Sequence, residues 1–272
     1  MSNINPLGHS IKYSFNYDPS YLFAIPRQNI AEIPIYGLDI WNIYELSWLN
    51  NNGKPQIAII RIEIPANSSK IIESKSLKLY LNSFNNTFFK NVKEVEDLIN
   101  KDISNAIQSS ILIKIITPEN FHKLYIENYS NIGICIDDID TVIDIYKEPS
   151  PDLLNLSSTN GNIVSEILIS RLFRSRCPVT GQPDWATIKI KYKGIKIDHS
   201  SILKYIVSYR NHLGFHENCI DKMFVDISNT CQPIYLNIYG NFTRRGGIDI
   251  NPWRVSSSKE LPPPDNCRTE RQ

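Results

Sequence analysis

The run Glu73-Ser74-Lys75-Ser76-Leu77-Lys78-Leu79-Tyr80-Leu81-Asn82-Ser83-Phe84 carries the reading of the fold. Leu77, Leu81 and Phe84 recur at helical spacing with Tyr80 beside them, so a helix is expected from about Ser74. Glu73, Ser74 and Lys75 then stand at its N-terminal end. Sliding the chain by 125 residues lays Ser76 on Ser201, Tyr80 on Tyr205, Ser83 on Ser208 and Asn86 on Asn211. These identities gain weight from the elements around them, which come twice in one order.

In the first half, residues 38–49 form an apolar–polar run with Trp41, Tyr44 and Trp48. Asn51-Asn52-Gly53-Lys54 signals a turn, and residues 56–64 alternate with β-branched side chains, so a β-hairpin is expected. Residues 92–107 carry a second helical pattern, and 111–116 and 132–139 read as strands. In the second half, 164–173 and 185–192 are strand-like. Residues 198–212 are helical behind a cap at Asp198 or Ser200, and 217–231 form the next helix. Residues 234–242 alternate, with 248–253 placed to pair with them. The expectation is an α+β chain of two ββααββ modules, each an antiparallel sheet with helices on one face. Residues 1–140 make the N-terminal module and 164–272 the C-terminal one. Pro149, Ser150, Pro151 and Gly161 mark 141–163 as a linker. Residues 1–30 read as an irregular arm.

Composition bounds the function classes. Hydrophobic residues make up 42% and charged residues 21%, ordinary for a chain that buries a core. A net charge of +1 gives no global field toward nucleic acid or membrane, and neither is expected as a partner. No apolar run reaches the length of a membrane span. Residues 1–6 lack the basic-then-apolar pattern of a signal peptide, so a cytoplasmic location is expected. Cys135, Cys177, Cys219, Cys231 and Cys267 are odd in number and form no CxxC pair. That argues against a disulfide framework and against structural zinc, and no metal is expected. Cys135, Cys219 and Cys231 read as structural, and Cys267 as exposed in a polar tail.

Three places offer chemistry. Cys177 lies in Ser175-Arg176-Cys177-Pro178-Val179-Thr180-Gly181-Gln182-Pro183-Asp184-Trp185-Ala186, with Asp184 seven residues on. Pro178, Gly181 and Pro183 disfavour a helix and allow a curl that returns Asp184 toward the sulfur. A thiolate can attack an electrophilic carbon while an acid supplies the proton. The residues alone favour a buried, inert thiol beside a turn aspartate, since structural cysteines outnumber catalytic ones. His216-Glu217, between two helices, suits proton relay and base recognition, or plain capping. Arg244-Arg245-Gly246-Gly247 suits an anion grip, or a basic surface turn. No G-x-G-x-x-G follows a strand, so a dinucleotide-binding Rossmann domain is not supported.

The run from Glu73, the Cys177 loop, Phe215-His216-Glu217 and the stretch from Thr243 to Arg254 resemble, in that order, four motifs of the QueF family. These are the nitrile reductases that use NADPH to make 7-aminomethyl-7-deazaguanine, and the arrangement is similar to their long, two-module form. The resemblance implies the tunnelling fold shared with GTP cyclohydrolase I, with sheets joined into a barrel ringed by helices, and a homodimer to complete it. It implies Cys177 as nucleophile, Asp184 as proton donor and His216 as proton relay. Ile72, Glu73, Ser74, His216 and Glu217 would take the substrate, and Ser74, Lys75, Arg245 and Gly246 the NADPH. Glu73 and Cys177 fall in different modules, which puts the expected site at a module junction. The implied reaction converts 7-cyano-7-deazaguanine to the aminomethyl base for queuosine in tRNA. The substrate is a free base, so no tRNA surface is needed. Two other readings remain: a GTP cyclohydrolase-like hydrolase, which needs zinc ligands, and a non-catalytic purine or pterin binder, which has no use for Cys177 and Asp184.

Overall fold

A computed structural model describes residues 16–28, 35–127, 132–158, 161–263 and 267–272. Most of the expected arm, residues 1–15 and 29–30, lies outside them. The class is α+β, with more strand than helix. The chain divides into two compact units. Unit 1 takes Met1–Gln28, Asp39–Leu124 and Arg244–Ile250, and unit 2 takes Asn29–Leu38, Tyr125–Thr243 and Asn251–Gln272.

Unit 1 opens with β1 (Ala24–Pro26), then β2 (Tyr36–Leu49), β3 (Pro55–Pro65) and β4 (Lys70–Ile72). Helices α1 (Ser74–Asn82) and α2 (Val92–Ile107) follow, then β5 (Leu112–Ile116). The strand order is β5-β3-β2, and β1 pairs antiparallel with β4. The hairpin turn is held by Asn50, whose side chain accepts from the Asn52 and Lys54 N–H groups. Trp41, Ile60, Ile62, Tyr80, Phe84, Ile99 and Ile103 form the core. Ile248 and Ile250 join it from the far end of the chain. Each buried Leu, Ile or Phe contributes about 1.5–3 kcal/mol relative to exposure, so this packing, not helix propensity, holds α1 and α2.

Unit 2 contains β6 (Tyr125–Ile126), β7 (Ile134–Cys135), β8 (Ile163–Arg176) and β9 (Pro183–Ile195). Then come α3 (His199–Ser208), α4 (His216–Cys231), β10 (Tyr235–Phe242), β11 (Ile248–Val255), of which residues from Asn251 on belong to this unit, and β12 (Cys267–Arg268). Its strand order is β11-β10-β9-β8-β7, and β10 pairs with residues 253–255 of β11, meeting the expected 248–253 stretch at Trp253. Alternation along β9 buries Ile188, Ile190 and Tyr192 against Ile202, Ile206, Phe224 and Ile227 of the helices.

Three expectations are corrected. The strand at 132–139 shrinks to Ile134–Cys135, which pairs parallel with β8 in unit 2 and does not finish a sheet in unit 1. Past Cys135 the chain turns inward: Ile136 is buried in the unit 2 core, and Asp137 accepts from Ser170 Oγ and the Arg171 N–H. The helix expected to reach residue 212 ends at Ser208, whose hydroxyl bonds back to Tyr205 C=O at 2.6 Å; a 3-10 turn, Tyr209–Asn211, follows. Cys267 is buried, not exposed, because β12 pairs with β6. Within 141–163, Pro151–Leu153 forms a 3-10 turn and Leu154 enters the unit 2 core.

Candidate active site

The candidates of unit 2 meet at the β8–β9 hairpin. β8 runs to Arg176, next to Cys177, and β9 resumes at Pro183, a first-residue position where proline is tolerated. Inside the loop, Gly181 N–H donates to Cys177 C=O and Cys177 N–H donates to Gln182 C=O, both at 2.9 Å. Gly181 has φ +68°, where a side chain would be strained. Arg176 Nε donates to Gly181 C=O at 3.1 Å and ties the loop to its own base. The expected curl forms. Asp184 stands opposite Ser175 in the ladder, beside the loop that carries Cys177.

The same base is stitched to the start of α4. Arg176 N–H donates to His212 C=O at 2.8 Å, and Gly214 N–H returns to Arg176 C=O at 3.0 Å. Two residues later His216 opens α4. Its Nε2 lies 3.5 Å from Asp184 Oδ2, and its ring stacks 3.8 Å from Phe242 with 8° between the planes. Cys177, Asp184 and Glu217 are buried, at 5%, 6% and 2% exposure. Cys219, further along α4, reports the local field. Burial first, and then the nearby charges of Asp184, Glu217 and Asp221, push its thiol up to about 12. Cys219 therefore stays protonated near neutrality and is no rival nucleophile.

The unit 1 candidates form a second cluster. Glu73 is the N-cap of α1 and accepts from Lys75 N–H at 2.8 Å and Ser76 N–H at 2.7 Å. An anion expected at this helix start meets a carboxylate already there. Oε1 also accepts from the Ser74 hydroxyl at 3.5 Å, so Oε2 is the oxygen that keeps a further lone pair for a ligand donor. Ile72 is buried at the end of β4, Ser74 is half-buried and Lys75 is exposed. Gly246 and Gly247 turn with φ +59° and +79°. Lys78 Nζ donates to Gly246 C=O at 2.7 Å and to Glu45 Oε2 at 2.9 Å, so α1 and the Arg-Arg-Gly-Gly turn are joined. Arg244 lies 4.4 Å over the Tyr44 ring. The Tyr44 hydroxyl donates to buried Asp249 at 2.8 Å, which also accepts from Asn42. An exposed glycine turn flanked by two guanidinium side chains fits a phosphate-bearing cofactor.

Sequence reasoning missed Lys78, Tyr44 and Asp249. Lys78 is three residues after Lys75 on one helix face, a spacing that pairs them. Nothing local marked Tyr44 or Asp249. Among the described residues, no group of three or more His, Cys, Asp or Glu is placed to hold a metal ion. No helix there is long and apolar enough to cross a membrane.

Comparison with known proteins shows the family of the chain. The family described as nitrile reductase, 7-cyano-7-deazaguanine-reductase N-term, matches residues 13–115, and one described as QueF-like protein matches residues 183–261. A protein of Burkholderia vietnamiensis named NADPH-dependent 7-cyano-7-deazaguanine reductase is 46% identical over 275 residues, covering 98% of each chain. A Burkholderia cenocepacia protein of the same name is 46% identical over 276 residues, again covering 98% of each chain.

Proposed function

The chain belongs to the 7-cyano-7-deazaguanine reductase family, and from that premise we propose that it reduces the nitrile of 7-cyano-7-deazaguanine to the aminomethyl group with NADPH. The observation that carries the reading is a buried acid, Asp184, against the imidazole of His216, beside the loop that holds the buried thiol of Cys177. Cys177 adds through sulfur to the nitrile carbon. One C–N π pair moves to nitrogen, and Asp184 delivers a proton there. The product is a thioimidate, a better hydride acceptor than the nitrile. NADPH, when bound, supplies hydride to carbon in two successive reductions. Between them the C–S bond breaks, sulfur leaves with the electron pair and an imine remains. His216, next to Asp184, returns protons to it from solvent, and Asp184 gives nitrogen the further proton that completes the amine.

Glu217 and Glu73 take the amino and ring N–H edge of the base, with Ile72 and Ser74 beside Glu73. Ser74, Lys75, Arg245 and Gly246 hold the NADPH phosphates. The same reading makes the chain a pair of tunnelling modules, about 1–140 and 164–272, whose sheets close into a barrel in a homodimer. Matched hydrogen bonds in the helices of both units support the duplication. It also places the enzyme in queuosine biosynthesis, acting on the free base in a reducing cytoplasm that keeps Cys177 as a thiol. A hydrolase on the same fold would need a zinc site, which nothing supports among the described residues.

The test is loss of the nicotinamide absorbance on mixing protein, NADPH and 7-cyano-7-deazaguanine. Two NADPH should disappear per nitrile, and none with Cys177→Ala. Nitrile-independent NADPH loss, or none at all, would overturn the proposal.

A further inference from the structure

Trp185 follows Asp184 in β9, so its side chain leaves the strand on the opposite face. Three guanidinium groups surround the indole. Arg174, Arg210 and Arg271 lie 5.6, 5.7 and 5.6 Å from its ring centroid. They come from β8, the 3-10 turn after α3, and the C-terminal segment. Significant cation–π contacts occur about once per 70–80 residues, so three on one ring is a built arrangement. Two of the side chains are anchored by backbone. Arg174 Nη1 donates to Arg210 C=O at 2.6 Å, and Arg271 Nη1 donates to Arg171 C=O at 2.7 Å. The adjacent acid, Glu270, is already engaged by Arg171 Nε at 2.6 Å. Among the described residues, no salt bridge joins a carboxylate to Arg174, Arg210 or Arg271, although the Arg271 charge helps to lower the Glu270 carboxyl that Arg171 holds. The whole chain carries only +1, so this positive charge is concentrated locally.

Like charges held together without a directly paired carboxylate repel, and the ring quadrupole offsets only part of that. An anion would offset more. Each guanidinium has five N–H donors in a fixed fork, and backbone anchoring engages few of them. Such forks match phosphate oxygens bidentately, and three together suit a multiply charged ligand better than a single carboxylate. We propose that Arg174, Arg210 and Arg271, arrayed on Trp185, form a binding site for a phosphate-bearing anion. The phosphate comes either from the dinucleotide cofactor or from a separate small phosphate compound.

Calorimetric titration of the full chain with pyrophosphate at low salt tests this. The Arg210→Gln/Arg271→Gln protein should bind pyrophosphate at least tenfold more weakly than the unaltered one. Arg210→Gln alone, which leaves the contacts of the C-terminal segment in place, should show a smaller loss in the same direction. Equal unfolding temperatures would show that the fold is kept. A parallel rise in the KM for NADPH with kcat unchanged identifies the dinucleotide as the source; an unchanged KM identifies a separate phosphate compound. Pyrophosphate affinity that is absent, or the same with and without these arginines, would overturn the site. This binding readout does not depend on the reductase reading.

Discussion

Helix α1 of unit 1 and α3 of unit 2 start alike. Glu73 and Asp198 cap them, and Ser76 and Ser201 each donate from Oγ to the cap residue's C=O at 2.7 Å. Ser83 and Ser208 donate to Tyr80 and Tyr205 C=O at 2.6 Å. Those tyrosines donate to Asp102 and Asp226, again at 2.6 Å. Helices α2 and α4 both end on a left-handed glutamine, Gln108 and Gln232. The units part company at two points. Unit 1 closes its hairpin with an asparagine-braced turn, where unit 2 has the Cys177 loop. Helix α2 starts under Asn91, whose side chain accepts from Glu94 N–H, whereas α4 starts at Phe215 with no side-chain cap. Local rules kept in unit 1 are relaxed in unit 2 at the residues proposed for chemistry, as expected where function competes with stability.

The sharpest way to break this contrast is to remove the acid. Asp184→Asn keeps shape but gives up no proton near neutrality. Adduct formation with 7-cyano-7-deazaguanine should slow by about 100- to 10,000-fold, while binding in a Cys177→Ala background persists. Glu73→Gln in unit 1 should instead weaken binding first. A wild-type adduct rate in Asp184→Asn would reduce Asp184 to a strand residue.

The shared tyrosines come next. Tyr80→Phe and Tyr205→Phe each strip a donor from a carboxylate, at a cost of about 1.5–3 kcal/mol in urea unfolding. Tyr205 should cost more, because it also bonds Tyr209 at 2.8 Å in a fully buried site. The reverse order would mean the two units are alike in sequence but not in energetics.

Smaller effects separate the caps. Asn91→Ala should destabilise by about 0.5–2 kcal/mol. Phe215→Asn should stabilise by a similar amount and lower turnover by moving His216. A stabilised variant with full turnover would show that the missing cap serves no catalytic purpose.

The smallest effect is a pH dependence. Burial alone would raise the Glu166 carboxyl, but hydrogen bonds from His199 and Tyr192 outweigh it and hold it below its ordinary 4.5. A lowered folded value stabilises the fold above the unfolded value, and that stability is lost as pH falls through the lowered one. Melting temperatures on the acid side should therefore drop less steeply in Glu166→Gln than in the unaltered protein.

Much of this was legible because it is local. Helical spacing gave α1 and α2, and Pro178, Gly181 and Pro183 gave the curl that brings Asp184 beside the Cys177 loop. The unread parts are long-range. His216 meets Asp184 through β-ladder and loop bonds that no periodicity encodes. Arg244 rests on Tyr44 from the other end of the chain. Ile134–Cys135 offers two residues of alternation, too few to say which unit it joins. Cys267 sits in a polar stretch, yet pairing with β6 buries it. Glu73 illustrates a different limit: the sequence marked it as important, but could not tell a cap from a ligand contact.

The central claim is that the Cys177 loop, and nothing in unit 1, forms the covalent bond. Intact-protein mass spectrometry after incubation with 7-cyano-7-deazaguanine, without NADPH, reads it directly. The account predicts one substrate mass added per chain, located by peptide mapping at Cys177 and absent from Cys177→Ala. An adduct that survives Cys177→Ala, or maps to another residue, would contradict it.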